Sequence, residues 1–82
     1  QHRDSTGVSQ RIEPGAINWM SAGRGIVHSE RMPDDLRGTP HRSHGLQLWA
    51  ALPAEHEESA PAFEHTPAAR LPQRDAGGAC VR

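Results

Sequence analysis

His28 and Glu30 stand two residues apart in the stretch Gly25-Ile26-Val27-His28-Ser29-Glu30-Arg31. In an extended strand, successive side chains point to opposite faces, so residues two apart share a face. Ile26, His28 and Glu30 are therefore expected on one face, and Val27, Ser29 and Arg31 on the other. A neutral imidazole and a carboxylate presented side by side can act as two ligands of a divalent metal. The same spacing also suits a plainer arrangement, a hydrogen-bonded or solvated strand pair with no ligand. Of the two readings, only the metal pair carries chemistry.

Other residues compete for a role and are weaker. Arg24, between Gly23 and Gly25, either steers an anionic substrate or sits on a turn. Trp19 and Trp49 are expected in the core, the commoner fate of large aromatics in strands, rather than lining a pocket. Gln47, in an apolar run, either faces a cavity or pairs with backbone. His41-x-x-His44 lies in a Pro-rich loop with no cysteine nearby, which argues against a second metal pair. Glu55-His56-Glu57-Glu58 reads as a solvated charge run. No Gly-x-Ser-x-Gly elbow accompanies the serines and histidines, so a hydrolase triad is unsupported. Cys80 lacks the basic surroundings that activate a thiol.

The elements that must position His28 and Glu30 are short. Residues 1–4 read as the end of a strand and Ser5-Thr6-Gly7 as the turn after it. Val8 to Ile12 is a short strand, and Glu13-Pro14-Gly15 suits a type II turn. Ala16 to Ala22 alternates, with Ile17 and Trp19 on one face, before the Gly23-Arg24-Gly25 corner and the strand 26–31. Consecutive short strands of this kind predict an antiparallel meander within a sandwich or barrel. Residues 32–43 form a polar loop. His44 to Leu52 is the most apolar run and is expected as a strand buried on at least one face, stopped by Pro53. Residues 54–60 are a solvated turn or a single helical turn, and Pro61 to Thr66 a strand around Phe63. From Pro67 the composition reads as a linker, with Ala79-Cys80-Val81 beginning another strand.

The totals narrow the class. Eighty-two residues make at most one small domain. Leu, Ile, Val and Phe number 12 of 82, few for a closed core, while a net charge of −1 lacks the other half of the disorder signature. The nine basic residues, all Arg, are balanced by ten acids without a basic run, which speaks against nucleic-acid binding. No signal peptide or membrane-spanning apolar run is seen. One cysteine excludes an internal disulfide and suits a reducing cytosol, the expected compartment. The chain starts at Gln1 as if inside a structured region and is taken as a fragment.

Several motifs in order resemble the pirin family. They are His2-Arg3-Asp4-Ser5-Thr6-Gly7, Pro14-Gly15, then Trp19-Met20-Ser21-Ala22-Gly23-Arg24-Gly25-Ile26-Val27-His28-Ser29-Glu30, then His44-Gly45-Leu46-Gln47-Leu48-Trp49 and Leu52-Pro53-Ala54-Glu55. The resemblance covers most of residues 2–55. It implies an all-β fold, part of a cupin β-barrel or jelly roll and incomplete here. Residues 1–66 would be the later half of the N-terminal barrel, and 67–82 a linker toward a second cupin domain.

The resemblance also implies a mononuclear non-haem iron, or another divalent metal, held by three histidines and a glutamate. His28 and Glu30 match two of these ligands. The other two belong to an upstream His-x-His motif that this sequence lacks, so metal affinity in the fragment is expected to be weak. The implied activity of the parent is a quercetinase-type dioxygenase acting on a flavonol-like small molecule, with Glu30 doubling as a base. The fragment itself is expected to be inactive. The alternatives are a metal-dependent regulatory protein that docks a protein partner, such as a transcription factor, and a non-functional remnant.

Overall fold

Two turns shape the start of the chain. The structure is a computed structural model that describes residues 1–81; Arg82, at the end of the expected linker, lies outside the described residues. β1 (His2–Asp4) turns into β2 (Ser9–Gln10) through a loop closed on the Asp4 carboxylate. Its Oδ1 accepts hydrogen bonds from the Thr6 amide at 2.9 Å, the Thr6 hydroxyl at 2.6 Å and the Val8 amide at 3.3 Å. An aspartate bonding its own backbone two residues on is the mechanism by which Asp favours turns. The expected type II turn follows: Gly15 has φ +79°, and the Ala16 amide donates to the Glu13 carbonyl.

β3 (Ile17–Ser21) and β4 (His28–Glu30) are joined by the Gly23-Arg24-Gly25 corner. Gly23 is needed there twice over. Its φ is +51°, and a Cβ would lie 2.0 Å from the Ser59 carbonyl oxygen. That carbonyl accepts the Arg24 amide at 2.9 Å, so the corner is pinned to a loop 35 residues later.

The expected meander holds only for β1 and β2. β4 returns to β1, pairing His2 with Glu30, Arg3 with Ser29 and Asp4 with His28, which gives the order β2-β1-β4. β3 skips β4 and pairs over its full length with β5 (Ala62–Thr66). All pairings are antiparallel, and long-range partners replace sequence neighbours. Among the described residues no closed barrel forms and no helix exceeds a single 3₁₀ turn. The architecture is all-β, a partial cupin-like fold.

The alternation in β3 is real, but its apolar face points outward. Ile17 and Trp19 are exposed, while Asn18 and Met20 are half-buried opposite His65 and Phe63 of β5. This corrects the expectation of Trp19 in a core: the inner face of the sheet is taken by Phe63, Met20 and an Asn18–His65 hydrogen bond of 2.7 Å.

A second correction concerns residues 44–52, which form no strand. Leu46, Leu48 and Trp49 are about nine-tenths exposed, and Gln47 is exposed beside them. An apolar strand is stable only against a partner strand and a facing layer; neither covers this run among the described residues. Residues Ala54–His56 make the single helical turn expected there. Within the stretch after Pro67, β6 (Arg74–Ala76) and β7 (Ala79–Val81) form a hairpin around Gly77-Gly78.

Candidate metal centre

The even-numbered residues of β1 and β4 build one face. The register sets His2 beside Glu30 and Asp4 beside His28, so all four side chains project from the same side of the sheet. Arg3, Ser29 and Arg31 line a hollow on the other side, together with Gln1, Met32 and Arg37. The expected sharing of a face by His28 and Glu30 is what β4 displays, and both are exposed at its surface.

Below them lies a side chain that sequence reasoning passed over. His2 is 1% exposed, the one buried residue among those described. Its ring stacks on Phe63 of β5, with centroids 4.1 Å apart and planes at 8°. It also packs against the His28 ring at 5.6 Å and 26°. Phe63 thereby joins the β3–β5 sheet to the β1–β4 face.

Two acids flank this ring. His2 Nε2 lies 2.8 Å from Asp4 Oδ2, and Nδ1 lies 3.7 Å from Glu30 Oε1. Asp4 is held ionised to low pH. The Thr6 hydroxyl, His2 and the backbone amides of Thr6 and Val8 all stabilise its carboxylate against the opposing effect of burial, and its pKa falls to about 2. His2 Nδ1 is the buried side-chain nitrogen left without a hydrogen bond among the described residues.

The donor chemistry of His28 and Glu30, one imidazole and one carboxylate, fits two positions around a divalent metal such as iron(II). The fit is partial. No group of three or more His, Cys, Asp or Glu side chains is placed to hold a metal ion among the described residues. The face is also open: His28 borders a shallow hollow with Arg3, Asp4, Ser5, Val27 and Ser29.

The remaining candidates stay apart from this face. Arg24 is exposed on its turn. His41 is exposed and its Nδ1 donates to the Thr39 carbonyl at 2.9 Å, which spends that nitrogen within the loop. His44 and the run Glu55-His56-Glu57-Glu58 are exposed, and Cys80 sits exposed on β7. His2 and Asp4 were signalled by the same His-x-acid spacing as His28 and Glu30. What the spacing did not convey was their burial, which depends on Phe63 some 60 residues away.

Comparison with known proteins places these residues in context. A family model described as Pirin matches residues 1–50. A pirin-like protein of Caulobacter vibrioides is 48% identical over 82 residues, covering 99% of this chain and 28% of its own length. A Pseudomonas aeruginosa protein named "Putative quercetin 2,3-dioxygenase" is 50% identical over 66 residues, covering 80% of this chain and 20% of its own. Human pirin is 34% identical over 80 residues, covering 98% and 26%. The chain therefore spans about a quarter of the length of these curated relatives. No solved structure matches. No helix among the described residues is long and apolar enough to cross a membrane. The family match runs over more than half of the sequence and takes in His2, Asp4, His28 and Glu30 alike: the chain belongs to the pirin family.

Proposed function

We propose that this chain carries half of a metal site, with His28 and Glu30 as two ligands of a divalent metal, iron by family resemblance. The observation that carries the reading is the projection of both side chains from one face of β4, exposed and two residues apart. When bound, such a metal supplies Lewis acidity and redox capacity. His28 contributes a neutral nitrogen donor. Glu30 contributes an anionic oxygen and is also placed to accept a proton from a substrate hydroxyl. The reaction class proposed for the whole protein is dioxygenation of a flavonol-like molecule, in keeping with the name of the Pseudomonas aeruginosa relative.

A second reading is a metal-dependent protein-binding module in the cytosol. The exposed Leu46, Leu48 and Trp49 favour it, because contiguous apolar side chains in water are where a partner protein docks.

Calorimetric titration of the chain with iron(II) under anaerobic conditions tests the site. Weak binding is expected, falling about tenfold or more in His28→Ala and Glu30→Gln, the range that loss of even a supporting group produces at metal sites. Affinity unchanged in both variants overturns the assignment. In a chain extended to include the upstream His-x-His motif, oxygen uptake with a flavonol separates the readings: iron bound without uptake favours the protein-binding module.

A further inference from the structure

We propose that His2 is a positioning residue that sets the side chains of Glu30 and His28, with Asp4 fixing the orientation of its ring. The inference rests on the reading of His28 and Glu30 as ligands.

Asp4 Oδ1 is occupied by Thr6 and Val8, which leaves Oδ2 to face His2 Nε2 at 2.8 Å. A carboxylate only accepts, so Nε2 carries the proton of that bond and the ring cannot flip without breaking it. Stacking on Phe63 prevents it from tilting. With both restraints in place, Nδ1 is aimed at Glu30 Oε1, 3.7 Å away, from a position 1% exposed. In that tautomer Nδ1 presents a lone pair to a carboxylate that also only accepts, so the two stand apart without a hydrogen bond, and Glu30 can close in only when a proton is moved to Nδ1.

The other contact of the ring is the His28 imidazole. A single buried ring thus touches both exposed side chains of the pair. A leucine would fill the same space, but it would offer no nitrogen to Glu30 and no handle to Asp4. Metal-site ligands are ordinarily oriented by such supporting groups, whose loss costs about 10- to 100-fold in metal affinity.

The test begins without metal. In ¹⁵N-labelled chain, imidazole NMR is expected to show His2 protonated at Nε2. His2→Phe keeps the stack on Phe63 and removes both nitrogens; the Glu30 carboxyl and His28 ring signals should shift while the β1–β4 amide signals stay. Asp4→Asn retains an acceptor for Thr6 but donates to Nε2, so the His2 proton should move to Nδ1 and the Glu30 signal should follow. This second variant decides the matter if His2→Phe fails to fold. Cobalt(II) titration followed by absorption should then show a loss of about tenfold in affinity for His2→Phe.

Glu30 and His28 signals indifferent to both changes overturn the proposal, as does a native His2 unprotonated at Nε2. A native chain that binds no cobalt(II) overturns the ligand reading instead, and the metal-free spectra still decide whether His2 sets the pair.

Discussion

Asp4 organises more of this chain than any other side chain. One carboxylate closes the β1–β2 turn through Thr6 and Val8 and anchors the His2 ring from its other oxygen. Its folded pKa of about 2 lies below the ordinary value of 3.8, so the unfolded chain binds the proton more readily. Stability from this group is fully present above about pH 4 and is lost as the pH falls through about 2. Urea midpoints measured across that window should decline in the native chain, and the Asp4→Ala variant should be less stable above it with a flatter decline within it. A native midpoint that holds steady down to about pH 2 contradicts the assignment. The Asp35 carboxyl is likewise held below its usual range by Arg11, 2.7 Å away, but both groups are largely exposed and the pair adds little. The shared face of His28 and Glu30 could be read from their spacing because period two is local. The burial of His2 could not, since no apolar neighbour in sequence announces it and the ring that covers it belongs to β5.

At the scale of elements, the glycine corner before β4 offers the sharpest test. Gly23→Ala meets two independent obstacles, a positive φ and a contact of 2.0 Å with the Ser59 backbone, which cannot swing aside as a side chain tip would. Gly7→Ala meets only the first, because its φ is +92° and nothing lies within 4 Å of the added carbon. The conformational cost alone is about 1–3 kcal/mol. Thermal unfolding should therefore show a modest loss for Gly7→Ala and a clearly greater one for Gly23→Ala; equal losses would mean that the corner is free to move from residue 59. The turns at Pro14-Gly15 and Gly23-Arg24-Gly25 were legible because Pro fixes φ and Gly tolerates positive φ whatever surrounds them. Strand partners were not. Nothing local in Ile17–Ser21 distinguishes pairing with β4 from pairing with β5, and nothing in His44–Leu52 says whether a facing layer exists. Propensity marks an extended segment, whereas register and burial are decided by residues far along the chain.

For the molecule as a whole, the balance of surface decides its behaviour in solution. A compact protein of 8.9 kDa exposes about 4,800 Å², and this chain exposes 7060 Å² with no fully buried hydrophobic residue among those described. Its radius of gyration is 15.4 Å, against about 12 Å for a compact domain of this length. The exposed large apolar side chains include Leu46, Leu48, Trp49 and Val27, with Ile17 and Trp19 on the outer face of β3. Covering one such side chain stabilises by about 1.5–3 kcal/mol, hence roughly 5–9 kcal/mol for the three in the 46–49 run. Association costs about 4–15 kcal/mol in lost freedom. The run supplies a gain of the same order as that cost, and the outer face of β3 adds to it. The chain should therefore self-associate with rising concentration, seen as a growing weight-average mass in sedimentation equilibrium. Leu46→Ser, Leu48→Ser and Trp49→Ser combined should return it toward the monomer while the β1–β4 amide signals persist, because that run pairs with no strand. A native chain that stays monomeric throughout would mean that the apolar run folds back on its own sheets in solution.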